Sequence, residues 1–263
     1  MKQENSLSRQ DSKLIRHLAL AKNRRKEGLF VAEGPKLITD LLTRFSCALL
    51  VASEASIQDI ALSESQKGRI ERLIVLPTHY DFSAISMQKS PRPLLALFHY
   101  REPEVATQLP MRCTLLLDCV QDPGNVGTIL RTADWFGIRD IWMTEGTADC
   151  FAPKVVQATM GALARIQLRR IDADSPLWKA IMEQNVPIIG TFLDGAPLSQ
   201  CTLPSPADPA LIIMGNEGKG ISPGLQPYIT QAVTIPPYSA SEQHGESLNV
   251  AVAAAIMLSK IAE

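Results

Sequence analysis

Residues 113–133, CTLLLDCVQDPGNVGTILRTA, decide the fold. Cys113–Cys119 is a near-continuous apolar run, the pattern of a strand buried on both faces of a parallel sheet. Gln121–Asn125 is turn sequence, because Pro123 presets φ while Gly124 and Asn125 tolerate positive φ. From about Val126 to Phe136 the pattern predicts a helix. Strand, loop and helix in this order open an α/β unit.

Working toward the C-terminus, the same alternation continues. Strands are expected at Asp140–Met143, Arg165–Arg170, Val186–Phe192, Ala210–Met214 and Ala232–Ile235, and helices at Pro153–Leu163, Pro176–Gln184, Pro223–Thr230 and Leu248–Ile261. Strands alternating with helices imply a parallel sheet covered on both faces. Toward the N-terminus, Ser8–Lys26 reads as one basic helix with Leu14, Ile15 and Leu18 on its apolar side. A strand at Leu29–Ala32, a helix from Pro35 to about Leu42, and strands at Ala48–Ala52, Leu73–Leu76 and Leu94–His99 make a smaller α/β unit. Glu102–Pro110 is polar and proline-bearing and reads as a linker. The expected domains are 1–103 and 104–263.

The 263 residues suffice for a substantial core, and 46% hydrophobic against 20% charged residues excludes a disordered chain. No apolar run is long enough to span a membrane, and the first residues lack the apolar centre of a secretory signal. Cys47, Cys113, Cys119, Cys150 and Cys201 are scattered without a C-x-x-C pair, which fits reduced thiols in the cytoplasm. The net charge of −1 hides an asymmetry. Residues 1–100 hold 15 Lys and Arg against 10 Asp and Glu, a net of +5, and residues 101–263 hold 11 against 17, a net of −6. A basic front half points to a polyanionic partner, or to nothing more than a solvated helix face.

Four loops after strands of the larger unit carry unusual sequence: Asp122–Gly127, Leu193–Ala196, Met214–Gly220, and Ile235–Pro237 through Glu246–Asn249. Ligands of open α/β sheets bind at this end. Each loop also has a plain reading as a tight turn or, at Ser247, a helix cap. Established nucleotide motifs fail on spacing. Gly218-Lys219 has Ile213 where a P-loop needs glycine and Gly220 where it needs Ser or Thr, and Gly124 and Gly127 are too few for a dinucleotide fingerprint. His17, His79, His99 and His244 are too scattered for a metal site, and a triad from Ser247 and His244 lacks the G-x-S-x-G elbow.

Three of these stretches resemble the motifs of the SpoU (TrmH-like) RNA ribose 2′-O-methyltransferases of the SPOUT class. Asn125–Ala133 is similar to the first, Ile213–Ile221 to the second, and Ile235-Pro236 with Glu246–Ala253 to the third. Lys154–Leu163 is similar to a further family segment. Ser8–Leu42, with Arg24, Arg25, Phe30, Glu33 and Gly34, resembles the amino-terminal substrate-binding module of two-domain members. The resemblance implies an α/β protein with a small amino-terminal RNA-binding domain and a carboxyl-terminal parallel-sheet SPOUT domain tied in a trefoil knot. It further implies S-adenosylmethionine as methyl donor, structured RNA as partner (rRNA more than tRNA) and a homodimer, with no metal and no membrane.

Methyl transfer from a sulfonium needs alignment and stabilisation of charge on a weakly acidic hydroxyl. The resemblance places Arg131 at the catalytic centre, as a clamp on phosphate and developing alkoxide or as a base; a guanidinium holds its proton too firmly to make the second role comfortable. Asn125 is expected to orient Arg131 or the ribose, Glu217 to bond a backbone amide or to fix Arg131, and Ser247 and Asn249 to cap the last helix or touch substrate. Leu193, Gly195, Gly215, Asn216, Gly218, Ile235 and Leu248 are expected around the cofactor, glycine allowing close backbone approach. Arg16, Arg24, Arg25 and Lys154 are expected to meet RNA phosphates. The third motif departs from the family: Pro237 replaces a methionine and Tyr238–Gly245 is a longer insert. A tRNA methyltransferase, a noncatalytic RNA-binding assembly factor and a doubly wound oxidoreductase are the alternatives.

Overall fold

The computed structural model describes residues 2–237 and 247–263. The chain forms two compact units, Met1–Glu102 with Asp149–Arg165, and Pro103–Ala148 with Ile166–Glu263. The first runs β1 (Lys2–Glu4), α1 (Arg9–His17), α2 (Ala21–Glu27), β2 (Leu29–Glu33), α3 (Pro35–Leu41), β3 (Cys47–Ser53), α4 (Glu54–Asp59), α5 (Glu64–Lys67), β4 (Arg72–Leu76) and β5 (Leu94–His99). The second follows with β6 (Glu104–Val105), β7 (Cys113–Leu117), α6 (Pro123–Trp135) and β8 (Asp140–Met143). The chain then re-enters the first unit for α7 (Pro153–Thr159) and a 3-10 turn at Ala162–Ala164. It completes the second with β9 (Gln167–Arg170), α8 (Leu177–Glu183), β10 (Ile188–Pro197), β11 (Ala210–Met214), β12 (Gln231–Thr234) and α9 (Val250–Ala262).

The first unit carries a mixed sheet in the order β1-β4-β3-β5-β2. Strand alternation divides its side chains between two faces. Leu29 and Val31 of β2 join Leu95 and Leu97 of β5 in a core that also takes Ile15 and Leu18. Phe30 and Phe98 point to the opposite face and stack, and Phe151 comes within 5.2 Å of Phe30 and 4.3 Å of Tyr100, ring centre to ring centre. Phe151 belongs to the segment Asp149–Arg165, so this aromatic face is completed by residues that follow the larger unit's β8 in sequence.

The single basic helix expected over Ser8–Lys26 is two helices. The break at Leu18–Leu20 has a cause: Arg24 is buried and donates from Nη1 to the carbonyls of Leu18 and Ala19, both at 2.8 Å, while its Nε meets Asp149 at 3.2 Å. The helix expected over Pro153–Leu163 stops at Thr159, where Met160 (φ 48°) and Gly161 (φ 94°) are both left-handed. Gly161 is required there, because a side chain would run into the Asp40 carboxylate.

The second unit carries an all-parallel sheet in the order β12-β10-β11-β7-β8-β9-β6. All five residues of β7 are buried, as a central parallel strand requires. Leu116, Trp142, Ile188, Leu211 and Ile213 form one core with Trp178 and Ile181 of α8. The segment expected as linker contains edge strand β6, paired to β9 and continued by a 2.7 Å bond from the Ala106 amide to the Arg170 carbonyl. Pro223–Thr230, expected as a helix, contains only a 3-10 turn at Gln226–Tyr228. Strand β10 runs past Phe192, and Thr191 and Ala196 both pair with Val233, so residues 192–195 bulge out between them.

Candidate active site

The carboxyl ends of β7, β10 and β11 and the start of α9 supply the motif residues, all in the second unit. At the end of β7, Asp118 is buried and accepts three bonds: from the Ser222 amide at 2.6 Å, the Ser222 hydroxyl at 3.0 Å and the Thr144 hydroxyl at 2.9 Å. It thereby anchors the loop that follows β11. Asp122 caps α6 by accepting from the Asn125 amide at 2.9 Å, and Pro123 sits in the first turn, where no donor is missed.

Glu217 gathers the first and second motifs. Its Oε1 accepts from the Asp122 amide and from Asn125 Nδ2, both at 3.1 Å, and its Oε2 accepts from the Gln121 amide at 3.2 Å. Partial burial pushes this carboxyl up, but the bonds from Asn125 and from the Asp122 and Gln121 amides outweigh it and hold the group below its ordinary value. Asn249 brings in the third motif. Its Nδ2 donates to Asn125 Oδ1 at 3.0 Å, and its Oδ1 caps α9 by accepting from Ala251 and Val252. One array, Asn249–Asn125–Glu217, therefore ties three loops. Glu217 holds backbone amides and Asn125, and Asn125 is bonded to Glu217 and Asn249; the expected bonds from either to Arg131 are not made. Arg131 is exposed on α6 and has no hydrogen-bond partner among the described residues.

A cavity of about 990 Å³ opens beside Glu217. Asn216 shapes its floor, donating to the Cys119 carbonyl at 2.8 Å and accepting from the Gly218 and Lys219 amides at 3.0 Å. Backbone bonds of 2.9 and 3.0 Å between Asn216 and Gly220 close the loop. A Cβ on Gly215 would stand 2.5 Å from the Ile221 nitrogen and closer still to the Gly220 carbonyl carbon, so glycine is obligatory. Gly218, Leu193, Ile235, Ser247 and Leu248 also line the cavity. Gly195 is not among the lining residues; it lets the β10 bulge close on the Val233 backbone, which a Cβ would meet at 2.6 Å. Pro237 is on the wall, whereas the insert Tyr238–Gly245, with His244 and Glu246, lies outside the described residues.

The cavity fits S-adenosylmethionine in kind. Its size suits a nucleoside ligand, its wall is apolar at Phe192, Met214, Val233 and Met257, and the Gly215–Gly218 loop runs along it. Leu193 and Leu248 are 75% and 48% exposed at this cavity, apolar surface that a ligand would cover.

In the first unit, Arg16 and Arg25 are exposed, Arg25 lying 3.6 Å from Glu102. Arg24 is 2% exposed with its donors engaged, so it cannot present its guanidinium to a phosphate; it is a structural tie. Lys154 is exposed at the start of α7 and lies in the first unit. Sequence reasoning passed over Asp118 and named Asp122 only as the start of the Asp122–Gly127 loop, without a role. A carboxylate ending an apolar strand, and another directly before a Pro-Gly-Asn turn, are the signals that mark them.

The SpoU rRNA Methylase family matches residues 112–259. The chain belongs to this family. An MRM3-like substrate binding domain matches residues 10–96. Among SpoU relatives, the chain is 32% identical over 98% of both chains to the 23S rRNA guanosine 2′-O-methyltransferase RlmP of Bacillus subtilis. It superposes with a TM-score of 0.86, at 42% identity over 97% of this chain and 98% of the other, on a protein of the TrmH family from Porphyromonas gingivalis. An AdoMet-bound rRNA methyltransferase from Sinorhizobium meliloti superposes at 0.78, with 28% identity over 99% and 97% of the two chains.

Proposed function

We propose that the protein transfers a methyl group from S-adenosylmethionine to a ribose 2′-hydroxyl of ribosomal RNA. The observation that carries this reading is the Asn249–Asn125–Glu217 array joining the three motif loops, with Glu217 on the wall of the 990 Å³ cavity. S-adenosylmethionine, when bound, supplies a methyl carbon on a sulfonium whose departing sulfur becomes a neutral thioether. The chain's residues do the rest. The Gly215–Gly220 loop holds the donor, and the array fixes the start of α6. Arg131, exposed and without a partner among the described residues, holds the RNA phosphate and stabilises charge on the reacting oxygen as its proton departs to solvent. Asn125 and Asn249 position, while Ser247 on the cavity wall is available to substrate.

The working form is a homodimer in the cytoplasm. Trp135 on α6 is 84% exposed, and Val252 and Ile256 on α9, which packs against α6, are 47% and 38% exposed. Covering them is what a second copy would do. The five free thiols agree with a reducing compartment. The test is transfer of labelled methyl to RNA from cells lacking the protein, with each rRNA and tRNA separated and digested. Label on a ribose of one rRNA is expected. Label on a base, on tRNA alone, or none despite measured S-adenosylmethionine binding would overturn the reading.

A further inference from the structure

The first unit contains a second cavity, of about 440 Å³, that the methyl-transfer site does not use. Its apolar walls are Val31, Met87, Pro153 and Ala158. Its polar groups are few and ordered. Glu33 is 3% exposed, and its carboxylate accepts from the Ser86 hydroxyl at 2.6 Å and the Met87 amide at 2.8 Å. That bond pair fixes the loop carrying Gln88 and Lys89. Gln88 Nε2 donates to Gln157 Oε1 at 2.9 Å, which leaves Gln88 Oε1 as an acceptor beside Gln157 Nε2 as a donor. Lys89 and Lys154, both exposed, complete the lining.

We infer that this cavity is a second RNA subsite, holding one unstacked nucleotide of the substrate; the inference rests on the reading that the protein acts on RNA. Apolar walls suit the faces of a base, and the paired amides offer the adjacent acceptor and donor that a base edge requires. Lysines at the cavity supply phosphate attraction, which positions without reading sequence. The buried carboxylate sets the preference. It accepts and cannot donate, so it favours the exocyclic amino group of adenine or cytosine, with its two N–H donors, over uracil, whose one Watson–Crick donor, N3–H, lies between two carbonyls. The same negative charge keeps a phosphate from entering the pocket floor. An accommodated nucleotide has to be splayed from its strand, which places it in a loop, bulge or single-stranded stretch of the rRNA.

The experiment uses the full chain and fluorescence anisotropy with labelled RNA decamers: all-uridine, or with one central adenosine or cytidine. A single adenosine or cytidine is expected to tighten binding about 5- to 10-fold. Glu33→Gln, which replaces one acceptor oxygen with a donor, should erase that preference, and Gln88→Leu with Gln157→Leu should weaken every decamer, while in both the salt dependence stays as it was. Lys89→Ala with Lys154→Ala should weaken all decamers and lower the log–log salt slope by about 1.4, close to 0.7 per lysine. Equal binding of all decamers by the wild type, no binding of any, or a preference that survives Glu33→Gln would overturn the inference. Labelled-methyl transfer to rRNA, run on the same preparations, separates the two readings. Transfer without base preference refutes the subsite alone, and no transfer by the wild type refutes the proposed function.

Discussion

Two glycines three residues apart in the loop after β11 should respond very differently to the same methyl group. A Cβ on Gly215 would stand 2.5 Å from the Ile221 nitrogen, whereas a Cβ on Gly218 would find nothing nearer than Asn216 Oδ1 at 3.9 Å. Carbon atoms rest about 3.5–4.0 Å from their non-bonded neighbours, so Gly215→Ala must push the backbone at Gly220 and Ile221 by about an ångström. That strand of backbone is clamped by the two Asn216–Gly220 bonds. Losing both costs about 1–3 kcal/mol, and overpacking without relief costs about 1–3 kcal/mol; either route puts Gly215→Ala near 2–3 kcal/mol. If the chain escapes by opening the loop, the cost appears in donor binding. At 1.4 kcal/mol per factor of ten, S-adenosylmethionine affinity then falls about 30- to 100-fold. Gly218→Ala should leave stability within about 0.5 kcal/mol of the parent. Denaturant titration of both variants, with calorimetric S-adenosylmethionine titration of Gly215→Ala, reads all of this. A Gly215→Ala protein with parental stability and affinity within threefold, or equal stability losses in the two variants, would refute the steric argument.

Arg131→Ala should abolish methyl transfer and leave S-adenosylmethionine affinity within about twofold; near-normal turnover would remove Arg131 from the catalytic centre. Arg16→Ala with Arg25→Ala should weaken RNA binding and flatten its salt dependence, whereas Arg24→Ala should act on folding, with a loss of about 2–4 kcal/mol from a broken, largely buried ion pair, seen in thermal melts. Asp11 pairs with Arg72 at 3.0 Å; burial pushes its carboxyl up, but bonds from Arg72 and Ser8 prevail and hold it below 3.8. A depressed folded-state value stabilises the fold above the unfolded value and is lost as pH falls through the folded one, so stability should decline below about pH 4, and Asp11→Asn should flatten that limb of an acid titration. Trp135→Asp should turn the expected dimer into monomer by light scattering, and a monomeric parent would refute the α6–α9 interface.

The α/β order was readable because a parallel strand buried on both faces, such as Cys113–Leu117, leaves an unmistakable apolar run. Asn125, Glu217 and Asn249 were readable because they recur in motifs, and the array explains their types: a carboxylate facing three donors and an amide that both donates and accepts. Other features leave no local trace. Nothing in the run Arg24-Arg25-Lys26 tells which side chain turns inward, since the deciding partner, Asp149, lies far along the chain. Two-residue β6 has no periodicity to detect, and it pairs because Glu104 and Val105 lie beside β9. The β10 bulge follows from register against β12, a relation between strands rather than a property of either.

The return of Asp149–Arg165 to the first unit also bears on how such a chain can be cut and inherited. A fragment ending at Glu102 would lose Phe151 from its aromatic face and Asp149 from Arg24, stranding a buried cation. A fragment beginning at Pro103 would carry those residues without Arg24, Phe30 and Tyr100. The backbone passes between the units three times, so no single scission yields two whole parts. Exchange of either part at the sequence boundary would therefore have to bring along, or replace, the partners of Arg24 and of the aromatic face.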